Sequence, residues 1–173
     1  NIPAIKIMQY TGLERCKNFA RKAGITFDKT DNSYALALGA FTNGLTVKEV
    51  VNSFIPFANS GKFISAKFIR KICDKKGNLI YENNQQESLI MSEETAYLLT
   101  DMLKTSTKTG TSSRLKDLDF DIAGKTGTVG IKNTNLNSDI WSVGYTSEKT
   151  CGIWLGNSTN EKEFIAGDAS GGS

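Results

Sequence analysis

Apolar positions in the first part of the chain recur at helical spacing. Ile2, Ile5 and Met8 accompany Pro3, whose fixed φ suits a first helical turn, until Thr11-Gly12 interrupts the run. Leu13, Cys16, Phe19, Ala20 and Ala23 form a second stripe over residues 12–23, with Thr11 and Glu14 at the spacing of a capping box and Gly24 as the stop. Residues 25–44 are mixed and punctuated by Gly39 and Gly44. Thr46 and Glu49 then give another capping box ahead of Val47, Val50, Val51, Phe54 and Ala58, the most clearly amphipathic helix; Pro56, lacking an amide hydrogen, is expected to kink or weaken its last turn. The period changes in residues 66–82, where two apolar runs flank Asp74-Lys75-Lys76-Gly77-Asn78 as a hairpin does. Ser92, followed by Glu93 and Glu94, caps a helix of about three turns with Ala96, Leu99, Met102 and Leu103 on its apolar face. Residues 120–128, 140–146 and 150–156 are β-branched, aromatic and glycine-punctuated, and the short gap Ser147-Glu148-Lys149 makes the last two a hairpin. The expected class is α+β, helices packed on an antiparallel sheet: residues 1–118 mainly helical with a hairpin near 66–82, residues 119–157 a three-strand meander.

Composition narrows this. A chain of 173 residues with 39% hydrophobic content suits one compact domain, or part of one. The 21 basic and 18 acidic residues are interspersed, without the arginine stripe or aromatic-basic interleaving of a nucleic-acid groove. Apolar stretches fall far short of the roughly 20 residues that span a membrane, so any export signal or membrane anchor is expected outside this chain. Cys16, Cys73 and Cys151 match neither a zinc pattern nor a disulfide framework and read as buried free thiols. The absence of histidine excludes Ser-His-Asp triads, Cys-His pairs and imidazole metal sites, leaving base chemistry to lysine, carboxylate, tyrosine or water.

Within the expected sheet, Gly124-Lys125-Thr126-Gly127-Thr128 places a cation, two hydroxyls and a side-chain-free position in one strand. Alternation puts Thr126 and Thr128 on one side and Lys125 on the other, so one ligand engages all three only along the strand's edge, where Gly127 permits close approach. A phosphate-binding P-loop would need a glycine at position 119, where Asp119 stands, and a helix after it, where an Asn-rich loop follows.

Ile122-Ala123-Gly124-Lys125-Thr126-Gly127-Thr128, a loop, and then Asp139-Ile140-Trp141-Ser142-Val143-Gly144-Tyr145-Thr146 closely resemble the Lys-Thr-Gly strand and its successor in class A penicillin-binding proteins. Cys151-Gly152-Ile153-Trp154-Leu155-Gly156 resembles that family's last strand. Residues 39–63 are similar to its helix ending in a Phe-Ala-Asn-x-Gly turn. Asn1-Ile2-Pro3-Ala4 resembles the stretch that starts at the third position of the family's Ser-x-Asn motif, so Asn1 would be its asparagine. The resemblance implies a penicillin-binding protein or serine β-lactamase-like transpeptidase fold, incomplete in this chain, and peptidoglycan cross-linking by serine acyl transfer without a cofactor. Lys125 would place positive charge near the nucleophile and the substrate carboxylate. Thr126 and Thr128 would bind that carboxylate, and the Thr128 amide would be one of two oxyanion donors. Asn1 would contact the substrate amide and the catalytic lysine. Implied partners are the D-Ala-D-Ala stem peptide, β-lactams and the amino-terminal half of the same domain, at the extracytoplasmic face of a bacterial membrane. A carboxypeptidase, a β-lactam sensor or a non-catalytic wall-binding module are the alternatives.

Look-alikes of the motifs occur elsewhere. Ser113-Arg114-Leu115-Lys116 fits the Ser-x-x-Lys of the family's nucleophile but follows the Ser-x-Asn position instead of preceding it, so the true nucleophile is expected outside this chain, and the chain alone is expected to be inactive. The family's first two strands, its final helix and a glycosyltransferase domain also lack matches, leaving the edge of the 150–156 strand open. Lys108-Thr109-Gly110-Thr111 repeats the Lys-Thr-Gly-Thr string in an expected polar loop and aligns with a Gly-Thr turn of the family. Gly167-Asp168-Ala169-Ser170-Gly171-Gly172 echoes a trypsin-like string in a protein without histidine and reads as the glycine-rich lead into the family's final helix. Asn157-Ser158-Thr159 has a glycosylation pattern that reads as a surface turn.

Overall fold

The computed structural model describes residues 1–157, 165–167 and 169–172. Helix α1 (Ile2–Thr11) carries Pro3 in its first turn and ends at Gly12, whose φ of 94° suits a residue without Cβ. Helix α2 (Leu13–Lys22) is N-capped by Gly12 itself, so the expected Thr11–Glu14 capping box does not form: Thr11 is spent as the last residue of α1, and Glu14 pairs with Lys17 and Arg21. The buried side of α2 also differs from the expected stripe. Phe19 is 40% exposed while Lys17 is 5% exposed, its ammonium donating to the Asp31 carbonyl (2.7 Å) and to Asn32 Oδ1 (3.1 Å). A buried lysine persists when its donors are used in this way.

The mixed segment is closed by side chains. Asp31 accepts from the Thr42 amide and hydroxyl and from the Asp28 amide, and Asp28 accepts from Thr30 and Asn43. The loop so fastened holds a 3-10 helix, Tyr34–Leu38, against which α1 packs. Helix α3 (Val47–Ala58) starts at the expected capping box, with Glu49 N donating to Thr46 Oγ1 and Thr46 N donating to Glu49 Oε2; it runs past the buried Pro56 to Ala58.

Strands β1 (Lys62–Phe63) and β4 (Ser88–Leu89) form a small ladder, and β2 (Lys71–Cys73) and β3 (Leu79–Glu82) form the expected hairpin, its turn bound by Asp74 and Gly77 (φ 88°). Helix α4 (Glu93–Thr109) has 17 residues, nearly five turns where about three were expected. It therefore takes in Lys108 and Thr109, which the pattern assigned to a loop, and Gly110 becomes its C-cap. A 3-10 helix, Ser113–Asp117, follows.

The meander is β5 (Ala123–Gly130), β6 (Leu136–Tyr145) and β7 (Thr150–Gly156), antiparallel in the order β5-β6-β7, with β8 (Ile165–Ala166) on the far end of β6. The first strand starts later and ends later than residues 120–128, and Phe120 stands 52% exposed in the approach to it. Cross-strand register puts Lys125, Val143 and Gly152 on one face and Thr126, Ser142 and Ile153 on the other. The first face packs on α3 and α4: Tyr145 is 3% exposed, its ring against Phe54 and Phe57 and its hydroxyl 2.9 Å from Thr100 Oγ1, and burial raises its pKa. All three cysteines are free, but the expectation of burial fails, since Cys73 and Cys151 are exposed on strands that pack on one side at most. Among the described residues no helix is long and apolar enough to cross a membrane, and no cluster of metal-binding side chains occurs.

Candidate active site

Strand β5 is held from behind by α4. The Thr107 hydroxyl, on a residue 2% exposed, donates to the Ile122 carbonyl at 2.7 Å. A Cβ on Gly124 would lie 2.8 Å from the Val143 carbonyl and 3.3 Å from Thr107 Cγ2. Glycine at 124 thus lets the strand lie flush between β6 and the helix. Gly127 faces Trp141, where an added Cβ would fall 3.4 Å from Trp141 Cβ. Trp141 packs against Trp154, ring centroids 6.2 Å apart, and Trp154 Nε1 donates to Asp139 Oδ1 at 3.0 Å, so the floor under Gly127 is fixed.

Among the described residues β5 has one strand neighbour, β6, and its other edge is open. Lys125 and Thr128 are exposed and Thr126 and Gly127 partly so, which brings these residues together on that edge as their spacing predicts. The Lys125 ammonium turns back along the strand and donates to the Thr126 carbonyl at 2.6 Å. Thr126 Oγ1 donates to Thr111 Oγ1 at 2.8 Å, a contact that nothing in the sequence pattern announced. The arrangement offers one exposed cation, two hydroxyls and a strand edge able to pair with an extended anionic ligand.

The other candidates lie apart from this edge. Asn1 is exposed at the start of α1 and makes no side-chain capping bond; α1 packs on α2 and the Tyr34–Leu38 turn, and no hydrogen bond among the described residues joins Asn1 to β5. Ser113 opens a 3-10 helix, with Lys116 exposed in the same turn. Of the trypsin-like string, Asp168 lies outside the described residues, as do Ser158 and Thr159 of the glycosylation pattern. A cavity of about 640 Å³ opens at the other end of the sheet, lined by Phe57, Tyr145, Lys104, Asp121 and the Ser147–Lys149 turn, and does not include the Lys125–Thr128 edge. Its Lys104–Asp121 pair, 2.8 Å apart, lowers the Asp121 pKa and raises that of Lys104.

Helices on one face of an antiparallel sheet whose edge strand carries Lys-Thr-Gly-Thr define an α+β domain with an open strand edge. The chain belongs to the penicillin binding protein transpeptidase domain family, whose model matches residues 3–172. It is 33% identical to penicillin-binding protein 1A/1B of Bacillus subtilis over 172 residues, covering 93% of this chain and 19% of that protein. It is 35% identical to penicillin-binding protein 4 of the same organism over 162 residues, covering 92% of this chain and 25% of that protein. The chain thus spans about a fifth to a quarter of the length of these curated relatives. Penicillin-binding protein 1A of Haemophilus influenzae shares the fold, with a TM-score of 0.82 at 24% identity over 99% of this chain and 30% of that one. So does the PonA1 protein of Mycobacterium tuberculosis in its complex with penicillin V, with a TM-score of 0.68 at 22% identity over 79% of this chain and 39% of that one.

Proposed function

We propose that this chain is part of a peptidoglycan D,D-transpeptidase that cross-links stem peptides, acting at the extracytoplasmic face of a bacterial membrane. A serine attacks the carbonyl of the penultimate D-alanine, D-alanine leaves with the proton, and the amine of a second stem takes the acyl group and releases the serine. The observation that carries the reading is the open edge of β5, with Lys125, Gly127 and the two threonines arranged along it.

On that edge the stem peptide lies as an added strand. Thr126 and Thr128, one strand period apart on the same face, hold its carboxylate through their hydroxyls, and Lys125 supplies the positive charge that draws the anion in. Backbone groups of residues two apart share a direction. The Thr126 carbonyl accepts from a side chain, Lys125, which supports an outward direction for the Thr128 amide as well. Aimed outward, that amide is one donor of the oxyanion hole, the kind of group whose loss costs about 3 to 4 kcal/mol of barrier. Asn1, at the start of α1, contacts the substrate amide and the catalytic lysine. β-Lactams bind along the same edge as substrate mimics; that PonA1, which shares the fold, forms a complex with penicillin V supports β-lactam binding as such. Ser113 alone begins a Ser-x-x-Lys string here and is not on the β5 edge, so the nucleophile comes from polypeptide outside these residues.

The test is the rate of acylation by labelled benzylpenicillin in the polypeptide that also carries the nucleophilic serine. Against Thr128→Val, which removes only the hydroxyl, Thr128→Pro removes the amide hydrogen as well, on an open edge where proline is tolerated. It should slow acylation by roughly two to three orders of magnitude with little change in melting temperature. A rate equal to that of Thr128→Val would rule out the Thr128 amide as an oxyanion donor.

A further inference from the structure

The string Lys108-Thr109-Gly110-Thr111 duplicates Lys125-Thr126-Gly127-Thr128, yet it folds as the end of α4 and the turn after it. The two copies nevertheless meet. Thr126 Oγ1 donates to Thr111 Oγ1 at 2.8 Å, joining residues 15 apart in sequence. We propose that Thr111 is a positioning residue for the proposed transpeptidase site: it fixes the Thr126 hydroxyl when the site is empty and reverses their shared hydrogen bond when a carboxylate arrives. The inference rests on the carboxylate-binding role given above to Thr126.

A threonine hydroxyl has one proton and two acceptor lone pairs. In the structure the Thr126 proton is committed to Thr111, whereas an ionised carboxylate only accepts. For Thr126 to serve a carboxylate, its proton must turn from Thr111 to the ligand. This leaves the Thr126 oxygen with lone pairs facing Thr111. Thr111 is exposed, and a small turn of its side chain brings its own proton onto Thr126. The Oγ–Oγ contact survives with its polarity reversed, no proton changes owner, and donation into Thr126 strengthens the bond that Thr126 makes to the ligand.

Thr111 is held firmly enough to do this. Gly110 N and Ser112 N both donate to the Ser106 carbonyl, at 3.1 and 3.2 Å, closing the turn onto the end of α4. A Cβ on Gly110 would sit 2.9 Å from Ser106 Cα and O, so this turn accepts no larger residue. On the outer side Gly171 and Gly172 run over the bridge: a Cβ on Gly171 would meet Thr126 Cβ at 2.9 Å, and one on Gly172 would collide with the Thr111 carbonyl. The backbone of residue 111 is thereby clamped.

The experiment compares acylation by benzylpenicillin, which bears the carboxylate, and by its methyl ester, which has no charge there, in the polypeptide that carries the nucleophilic serine. Thr111→Val keeps shape and removes the hydroxyl. It should slow the acid about fivefold, the order expected for one hydrogen bond between neutral groups, and leave the ester within about twofold. Thr111→Ser should restore most of the rate. In a Thr126→Val background Thr111→Val should have no further effect, because the residue it acts through is gone. A slow Thr126→Val beside a fast Thr111→Val would overturn the inference alone. Equal slowing of acid and ester by Thr111→Val would also overturn it, by showing a merely structural role. A wild-type rate for Thr126→Val would remove the carboxylate reading, and the inference with it.

Discussion

At the scale of residues, the site rests on positions where a side chain is missing as much as on those where one is present. Gly124 is the clearest, since a methyl group there meets the Val143 carbonyl and Thr107 Cγ2 together. Neither neighbour can yield cheaply, one being backbone and the other on a residue 2% exposed. Gly124→Ala should lower unfolding stability by roughly 1–3 kcal/mol in urea titration, and a change under about 0.5 kcal/mol would contradict the packing described. The candidate strand was legible because Lys125, Thr126, Gly127 and Thr128 are adjacent in sequence, and alternation alone assigns their faces. The groups that hold them were not legible. Thr107, Thr111 and Tyr145 are recruited by contacts across 15 to 45 residues of chain, which no local pattern announces.

Among the elements, helices with apolar stripes and complete caps came through well, and segments whose polar groups are satisfied at long range did not. The α3 capping box forms as its spacing predicts, and Thr46→Ala should cost about 1 kcal/mol in thermal or urea unfolding. The same spacing at Thr11 and Glu14 fails because α1 runs through Thr11 and Gly12 stands at the N-cap of α2. The segment between α2 and α3 gave no period to read, since Asp28 and Asp31 order it by accepting hydrogen bonds across the loop. Those bonds pull both carboxyl pKa values below their usual 3.8. A depressed pKa contributes stability that is complete above the unfolded value and lost as pH falls through the lower folded one. The Thr42 and Asp28 amides should therefore keep their hydrogen-exchange protection down to about pH 4 and lose it below, ahead of the α3 amides. Simultaneous loss across the molecule would contradict a local fastening.

For the whole molecule, one face of the sheet is packed on helices and the other is covered only in part, Ile140 being buried there at 3% exposure. Tyr145, Val143 and Gly152 meet α3 and α4, while Ile153 and Leu155 on β7 are 56% and 55% exposed, and the outer edge of β7 is unpaired among the described residues. An open edge beside exposed apolar side chains invites pairing with another chain. In sedimentation velocity the 173-residue chain should associate as concentration rises, and Ile153→Lys should suppress this; a monomer at all concentrations would show that the face is protected. The family could be read from the meander's motifs, and the roles of Lys125, Thr126, Thr128 and Asn1 were implied by that resemblance, but the Thr126–Thr111 contact could not be read, because it depends on which groups the fold brings to the β5 edge. In the proposed reading this chain supplies the binding edge and not the attacking group. Intact-mass spectrometry of the chain after incubation with benzylpenicillin tests it most directly: the account predicts an unmodified mass, and a stoichiometric covalent adduct mapped to Ser113 would contradict it.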